Sequence, residues 1–194
     1  MKTVFLRRSP VPATLLCIVA SAAAVLSVMA ASAALSVMAA SAAVAADKQT
    51  FLGQSGDWYT YQLNDGGART CYMVSKPAST RGNFKKRGDV VAFITHRPRE
   101  GERDVISIQA GFTYKQNSTV AVKIGDRSFS LFTSKDTAWS RSPSDDKALI
   151  AAMIQGSTMS ASGTSSRGGQ ITDTYSLRGF GAAYKKITQA CGLK

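Results

Sequence analysis

The first 46 residues restrict the fold more than any other feature of this 194-residue chain. They contain three cations, Lys2, Arg7 and Arg8, and no acid, and Ala dominates them after Ala13. Small residues close the run at Ala43-Val44-Ala45-Ala46. A basic start, a long apolar stretch and a small-residue end have the order of a cleaved secretory signal. The sequence therefore predicts a signal peptide at residues 1–46 and a single folded domain at residues 47–194.

An uncleaved transmembrane anchor is the alternative, because an apolar stretch of this length can cross a bilayer. The stretch is built mainly from Ala and Ser, which are weakly apolar beside Leu, Ile and Phe, and this composition favours cleavage. We expect a periplasmic or secreted protein with no transmembrane span after cleavage.

Only two cysteines, Cys71 and Cys191, remain after residue 46. In an oxidising compartment an even pair indicates a disulfide. The alternatives are a zinc site or a redox pair of thiols. Zinc takes four ligands and His96 is the single His of the chain, while no C-x-x-C motif exists. A structural disulfide is favoured, and no metal or cofactor site is predicted.

The sequence of the domain predicts short strands with two helices near the end, and two late strands between these helices at about Ser157 to Ala161 and Ile171 to Leu177. Tyr59, Tyr61 and Leu63 alternate with polar residues, which is typical of a half-buried strand, and the apolar run 90–94 predicts a central strand. Ser144 is a candidate N-cap for a helix ending at Gln155, and a second helix begins near Phe180. This order predicts an all-β, sandwich-like domain with two short helices near its C-terminus.

Four groups of residues together resemble the invasion-associated locus B family. They are Gly56-Asp57-Trp58, Cys71-Tyr72-Met73, Ile154-Gln155-Gly156 and Tyr175-Ser176-Leu177-Arg178-Gly179-Phe180. The resemblance implies an exported, virulence-associated protein of an alphaproteobacterium with a β-sandwich-like domain. Tyr61 stands where a Cys is frequent in the family, so a single disulfide is implied. The family resemblance also implies a role in the envelope or at the host surface rather than catalysis.

The charge distribution indicates what such a protein binds. The first 46 residues hold three of the 24 cations and none of the 12 acids, so residues 47–194 carry a net charge of +9. The densest basic stretch predicts two loops, one at each end of the central strand, that attract an anionic envelope component or host surface molecule. Ordinary solvated loops are the alternative, and nucleic acid is not expected because export separates the protein from it. The candidate residues are Lys85, Lys86, Arg87, Arg97 and Arg99.

Arg87-Gly88-Asp89 also spells the tripeptide of integrin ligands, although Gly and Asp are ordinary turn residues. The second functional hypothesis is a periplasmic enzyme built around His96. It requires a Ser and a carboxylate near the imidazole, and the sequence contains no Gly-x-Ser-x-Gly motif. We therefore expect a partly exposed His96 at a strand end and a protein that is not an enzyme.

Overall fold

A computed structural model of the chain describes residues 48–83 and 86–194. The predicted signal peptide, residues 1–46, and Lys85 lie outside the described residues. The elements are β1 (Lys48–Ser55), β2 (Trp58–Asp65), β3 (Ala68–Ser75), β4 (Ser79–Gly82), β5 (Val91–Arg97), a 3₁₀ turn (Pro98–Glu100), β6 (Glu102–Gln109), β7 (Thr119–Ile124), β8 (Arg127–Ser134), β9 (Thr137–Trp139), α1 (Pro143–Gln155), β10 (Thr158–Thr164), β11 (Gln170–Ser176) and α2 (Phe180–Ala190).

The described strands form one sheet in the order β1-β2-β3-β5-β6-β9-β8-β7-β10-β11-β4, and every neighbouring pair is antiparallel. Both halves of this order contribute to one apolar core. Ile94 and Ile106 come from the first half, and Val122 and Met159 come from the second. The prediction of a β-rich domain with two helices is confirmed, but only α2 lies near the C-terminus, because β10 and β11 follow α1. No helix in the described part of the chain is long and apolar enough to cross a membrane.

The predicted inward face of β2 is wrong. Trp58 and Thr60 are fully buried, whereas Tyr59 is 41% exposed and Tyr61 is half-buried. Side chains of a strand alternate between the two faces of a sheet, so the buried Trp58 directs Tyr59 and Tyr61 to the outside. The alternation identified the strand correctly, but a row of aromatic residues was mistaken for its core side.

The two predicted helices are present, with corrections to the first. Ser142, rather than Ser144, is the N-cap of α1, and its Oγ accepts a hydrogen bond from the Asp145 backbone N–H at 3.2 Å. Pro143 follows at the first helical position, where its missing N–H costs no hydrogen bond. Ile154 near the end of α1 is 50% exposed, whereas Leu149, Ile150 and Met153 of the same helix are buried. Helix α2 begins at Phe180 as predicted and buries Phe180 and Ile187.

The turn between β1 and β2 lies against the segment that joins β11 to α2. The Asp57 backbone N–H donates to the Arg178 carbonyl at 3.1 Å, and Trp58 Nε1 donates to the Ser176 carbonyl at 3.0 Å. Gly179 has a φ of +83°, and a Cβ there would lie 2.2 Å from the Ser55 carbonyl oxygen. Only glycine fits this approach of two backbones. This packing accounts for the glycine at position 179.

Candidate functional site

Arg87 is buried, whereas the basic stretch predicted that it lies in a solvated loop. Its side chain is 6% exposed, and its guanidinium forms a bidentate ion pair with the carboxylate of Asp173 on β11. Arg87 Nε also donates to the Ala110 carbonyl at 2.5 Å, and Thr80 donates to the same carboxylate at 2.7 Å. The charge of Arg87 is therefore balanced inside the fold. Its guanidinium joins the segment before β5 to the end of β6 and to β11.

This burial also bears on the Arg87-Gly88-Asp89 tripeptide. A receptor that reads the tripeptide contacts the Arg and Asp side chains together, but the Arg87 guanidinium is held by Asp173 and stacks at 5.1 Å from the centre of the Phe112 ring. The Arg of the tripeptide is therefore part of the internal contacts of the fold.

A cavity of about 830 Å³ opens beside Arg87. Lys86 and Arg167 line it with exposed side chains, and Phe112 contributes a half-buried ring. The described residues that line it include no Asp or Glu. They are Asn83, Lys86, Arg87, Gly88, Gly111, Phe112, Thr113, Ser165, Ser166, Arg167, Gly169 and Ile171. Two exposed cations, together with hydroxyl and backbone groups, therefore line this cavity. No carboxylate is among its described lining residues. Arg167 was absent from the sequence prediction because it is 81 positions from Lys86 and only the β10–β11 hairpin brings it close.

In the second predicted basic loop, most of the positive charge is compensated by neighbouring acids. Arg97 Nη1 lies 2.5 Å from the carboxylate of Glu102, and Arg97 Nε lies 4.0 Å from that of Glu100. Arg103 Nε lies 3.5 Å from the Asp104 carboxylate, while Arg99 is exposed at the 3₁₀ turn. Most cations at this end of β5 are thus paired with an acid next to them. The two basic loops therefore differ in how much charge they offer to a partner.

His96 is fully buried, so the prediction of a partly exposed imidazole is wrong. Its Nδ1 accepts a hydrogen bond from the Asp104 backbone N–H at 3.1 Å. Its Nε2 lies 3.2 Å from Thr188 Oγ1, and that hydroxyl donates to the Tyr184 carbonyl at 2.8 Å. An imidazole that accepts at Nδ1 and donates at Nε2 is neutral. Burial lowers the pKa of His96 and outweighs the opposing effect of the Asp104 carboxylate, which is consistent with this state.

The surroundings of His96 connect β5 to α2. Tyr184 donates its hydroxyl to the Asp104 carboxylate at 2.6 Å, and its ring meets the imidazole edge-on at 5.7 Å. A cavity of about 410 Å³ is lined by Asp104 and Tyr184, but His96 is not among the described residues that line it. Nε2 therefore connects β5 to α2 through Thr188, and Nδ1 connects β5 to the backbone of β6 at Asp104. Among the described residues no group of three His, Cys, Asp or Glu side chains is placed to hold a metal ion.

The predicted disulfide is present in the structure. Cys71 on β3 is bonded to Cys191, which directly follows α2, with Cα atoms 5.8 Å apart. Arg69 Nη1 donates to the Ala190 carbonyl at 3.0 Å beside it. The disulfide and the hydrogen bond from the Arg69 guanidinium thus connect the C-terminal end of α2 to the sheet.

A family model described as Invasion associated locus B (IalB) protein matches residues 58–188, which is more than half of the chain. The chain belongs to the IalB family. No curated protein and no solved structure matches it. The matched range begins at the buried Trp58 and ends at Thr188, the hydrogen-bond partner of His96. The Arg87–Asp173 pair and the His96 contacts therefore lie within the IalB region of the chain.

The structure of this IalB protein also shows a surface that the sequence analysis missed. Aromatic side chains lie on the outer side of the sheet, on the neighbouring strands β1, β2, β3 and β5 and, beyond β6, on β9 and β8. Direct register pairs place Phe51 opposite Tyr61 and Tyr61 opposite Tyr72, with ring centres 5.3 Å apart in each pair. We call this surface the aromatic face. It consists of Phe51, Tyr59, Tyr61, Tyr72, Phe93, Phe132 and Trp139.

The two tryptophans differ in environment. Trp58 is fully buried and meets Phe180 edge-on at 5.0 Å, so it belongs to the core. Trp139 is half-buried on the aromatic face, opposite Phe132 in the register. The two tryptophans differ because Trp58 lies on the core side of its strand and Trp139 on the outer side. The local sequence around each residue does not indicate which side of the strand faces the core.

Proposed function

We propose that this IalB family protein is exported by its first 46 residues and that its β-sandwich-like domain acts without catalysis in the envelope or at a host surface. In this proposal the domain binds an anionic partner through its basic loops, with Lys85, Lys86, Arg97 and Arg99 as the candidate contacts. Family membership and the net charge of +9 on residues 47–194 support the proposal.

The contrast between the two basic loops carries the proposal further. Lys86 and Arg167 share a cavity whose described lining contains no carboxylate, whereas Arg97 and Arg103 each lie against an acid. An anion that approaches the cavity meets uncompensated positive charge, and one that approaches the 3₁₀ turn meets charge that is already neutralised. We therefore place the main contact at Lys86 and Arg167, with Arg99 as a peripheral contact.

Arg87 has a different role in this proposal. Its guanidinium is held by Asp173, so it does not bind the partner; instead it fixes the segment that presents Lys86. The ligand class is an accessible phosphate or carboxylate on a lipid or lipopolysaccharide surface, since those are the anions that border an exported protein.

The enzyme hypothesis has less support from the geometry of His96. A general base needs an available nitrogen within hydrogen-bond reach of its substrate. Both nitrogens of His96 have partners within the fold and its side chain is fully buried. This arrangement favours a structural role for His96 and a protein that works by binding.

Binding of residues 47–194 to vesicles containing an anionic phospholipid, or to lipopolysaccharide, tests the proposal. Each cation near an anionic membrane contributes about 1 kcal/mol, so the double variant Lys86→Gln with Arg167→Gln should weaken binding roughly thirtyfold. Raising the salt from about 50 to about 300 mM shortens the screening length from about 14 to about 6 Å and should weaken the wild-type protein's binding as well.

The matched control is the double variant Lys123→Gln with Lys185→Gln, which removes the same charge from exposed positions on β7 and α2. A control loss as large as that of the cavity variant would show that net charge alone drives binding and would refute the cavity as the site. Equal binding of the wild-type protein at both salt concentrations would refute an electrostatic contact altogether.

A further inference from the structure

The cavity beside Arg87 lies between three chain segments that are hydrogen-bonded to one another. They are the segment before β5, the connection from β6 to β7, and the turn between β10 and β11. The Gly88 backbone N–H donates to the Gly111 carbonyl at 2.8 Å, and the Ser166 backbone N–H donates to the Thr113 carbonyl at 2.8 Å. The connection from β6 to β7 is therefore bonded to both other segments. The walls of the cavity are fixed by the fold, as in most small-molecule sites.

The turn that carries Arg167 is closed by its own hydrogen bonds. The Ser165 backbone N–H donates to the Gly169 carbonyl at 2.9 Å, and the Gly169 backbone N–H donates to Ser165 Oγ at 3.2 Å. A Cβ at Gly169 would lie 3.1 Å from the Asn83 carbonyl oxygen, so the turn also lies against the segment that presents Lys86. Both exposed cations of the cavity are thus carried by backbone of fixed position.

The lining of the cavity combines positive charge, hydroxyl groups and apolar surface. Thr113 and Ser166 are exposed, and their hydroxyls form no hydrogen bond with another described residue. Each of these hydroxyls can both donate to and accept from a ligand. The cations are Lys86 and Arg167, the hydroxyl groups belong to Thr113, Ser165 and Ser166, and the apolar surface comes from Phe112 and Ile171.

A sugar that carries a phosphate presents the complementary groups. A phosphate monoester has a charge of about −1.5 to −2 at neutral pH, which matches two cations better than the single charge of a carboxylate does. The hydroxyls of the sugar ring can exchange hydrogen bonds with the hydroxyl side chains, and its C–H groups can cover the apolar surface. The volume of about 830 Å³ lies in the range of about 300 to 1,000 Å³ that is usual for small-molecule sites.

The concave shape of the site distinguishes a sugar phosphate from a planar lipid surface. Lys86 and Arg167 are exposed, so a flat array of lipid phosphates can reach them. Ile171 is 3% exposed and Phe112 is half-buried, so a flat surface does not contact them. Only a group that enters the cavity meets the cations, the hydroxyls and the apolar surface together.

We propose that the cavity binds a phosphorylated sugar unit. This inference rests on the proposed function, because it uses the same two cations, and it adds that the phosphate is recognised together with the sugar ring that bears it. Lys86 and Arg167 attract the phosphate. Thr113 and Ser166 distinguish a sugar phosphate from phosphate alone, because only the sugar has hydroxyls that these side chains can bond.

Nuclear magnetic resonance titrations of ¹⁵N-labelled residues 47–194 test the inference, with glucose 6-phosphate, inorganic phosphate and glucose as the probes. Glucose 6-phosphate should bind about tenfold more tightly than inorganic phosphate, since each further hydrogen bond in the site strengthens binding severalfold. Glucose without a phosphate should bind more weakly than either. Glucose 6-phosphate should shift the backbone amide signals of Thr113, Ser166 and Gly169, which line the cavity.

The double variant Thr113→Val with Ser166→Ala separates the sugar from the phosphate. Its affinity for glucose 6-phosphate should fall to that for inorganic phosphate, while its affinity for inorganic phosphate should stay unchanged. Both positions are exposed, so the variant should fold, and thermal melting monitored by circular dichroism verifies this. The double variant Lys86→Gln with Arg167→Gln should instead weaken the binding of both ligands.

The matched control is the double variant Thr119→Val with Ser130→Ala. It removes the same two kinds of hydroxyl from exposed positions on β7 and β8, and these residues do not line the cavity. It should bind glucose 6-phosphate as the wild-type protein does. A cavity variant that binds glucose 6-phosphate as tightly as this control would overturn the role of the hydroxyls and, with it, the inference.

Equal affinity of the wild-type protein for glucose 6-phosphate and inorganic phosphate would overturn the inference and leave the proposed anion site in place. Glucuronate, which has one negative charge, should bind more weakly than glucose 6-phosphate, and equal or tighter binding would overturn the choice of phosphate. Binding of glucose 6-phosphate at the cavity by a protein that binds neither anionic vesicles nor lipopolysaccharide would support the inference and refute the proposed membrane partner.

Discussion

Arg87 and Asp173 are 86 positions apart in the chain, and each side chain is 6% exposed in the folded domain. An ion pair removed from water in this way is sensitive to the loss of one partner, because the remaining charge stays buried without compensation. The same residue looks like an ordinary loop cation in the sequence. Its role is decided by a neighbour on β11 that only the fold brings to it.

We predict that Arg87→Met lowers the free energy of unfolding by about 3 kcal/mol, since Asp173 is left buried and unpaired. Urea denaturation of residues 47–194 measures the effect. Lys86→Met is the matched control, and as a change at an exposed position it should alter stability by less than about 0.5 kcal/mol. The double variant Arg87→Met with Asp173→Leu should recover much of the loss. An Arg87→Met protein as stable as the control would contradict the burial of this pair.

The neutral, buried His96 predicts a pH dependence of stability. Its pKa in the folded protein lies below the ordinary value of 6.5. Below pH 6.5 the unfolded chain binds a proton at His96 that the folded protein does not, so acid favours unfolding. The stabilisation is therefore fully present above about pH 6.5 and is lost progressively as the pH falls towards the folded pKa.

Denaturation between about pH 7.5 and pH 5.5 should show this loss, and His96→Gln should flatten it. The control is Thr188→Val, which keeps the imidazole and removes one hydrogen-bond partner, so it should retain the slope. Burial raises the pKa of Asp146, so this carboxyl stabilises the folded protein as the pH falls and opposes the effect of His96. An unchanged slope in His96→Gln would show that another group is responsible.

At the scale of elements, local patterns located the strands and helices well and failed at their faces and ends. The alternation around Tyr61 identified β2, yet the side facing the core was set by Trp58, which packs against Phe180 from the distant helix α2. The candidate cap Ser144 lies within two residues of the actual helix start. The cap itself is Ser142, because Pro143 cannot donate a backbone hydrogen bond and suits the first helical position.

The disulfide connects two elements that are far apart in sequence, which gives an element-scale prediction. Cys71 and Cys191 are separated by 120 residues. A cross-link closing a loop of that length stabilises a protein by about 4 to 5 kcal/mol in the chain-entropy model. The double variant Cys71→Ala with Cys191→Ala should lose an amount of this order in urea denaturation.

Treatment with a reductant provides the control for this prediction. It should destabilise the wild-type domain to a similar extent and leave the double variant unchanged. If reduction has no effect on wild-type stability, or if peptide mass spectrometry finds two free thiols in exported protein, the predicted contribution of the bond is wrong.

At the scale of the whole molecule, the proposed export determines which class of partner we expect. We expect full-length chains expressed in a bacterium with an envelope to be cleaved after Ala46, so that the mature protein begins at Asp47. N-terminal sequencing of the protein from envelope and medium fractions measures this. A full-length product confined to the cytosol would contradict the proposed export and, with it, the choice of envelope anions as partners.

The sequence by itself determined the β-rich character, the positions of both helices, the disulfide partners and the family. These depend on local periodicity, on capping chemistry, on the presence of only two cysteines after residue 46 and on landmarks in a characteristic order. Only the tertiary structure decided that Arg87 is an internal ion-pair partner, that His96 is buried and neutral, and that Arg167 joins Lys86 at one cavity. It also placed seven aromatic rings on the outer side of the sheet. The physical reason is that burial and charge compensation depend on residues 80 to 120 positions away, whose approach is set by strand register and not by local sequence.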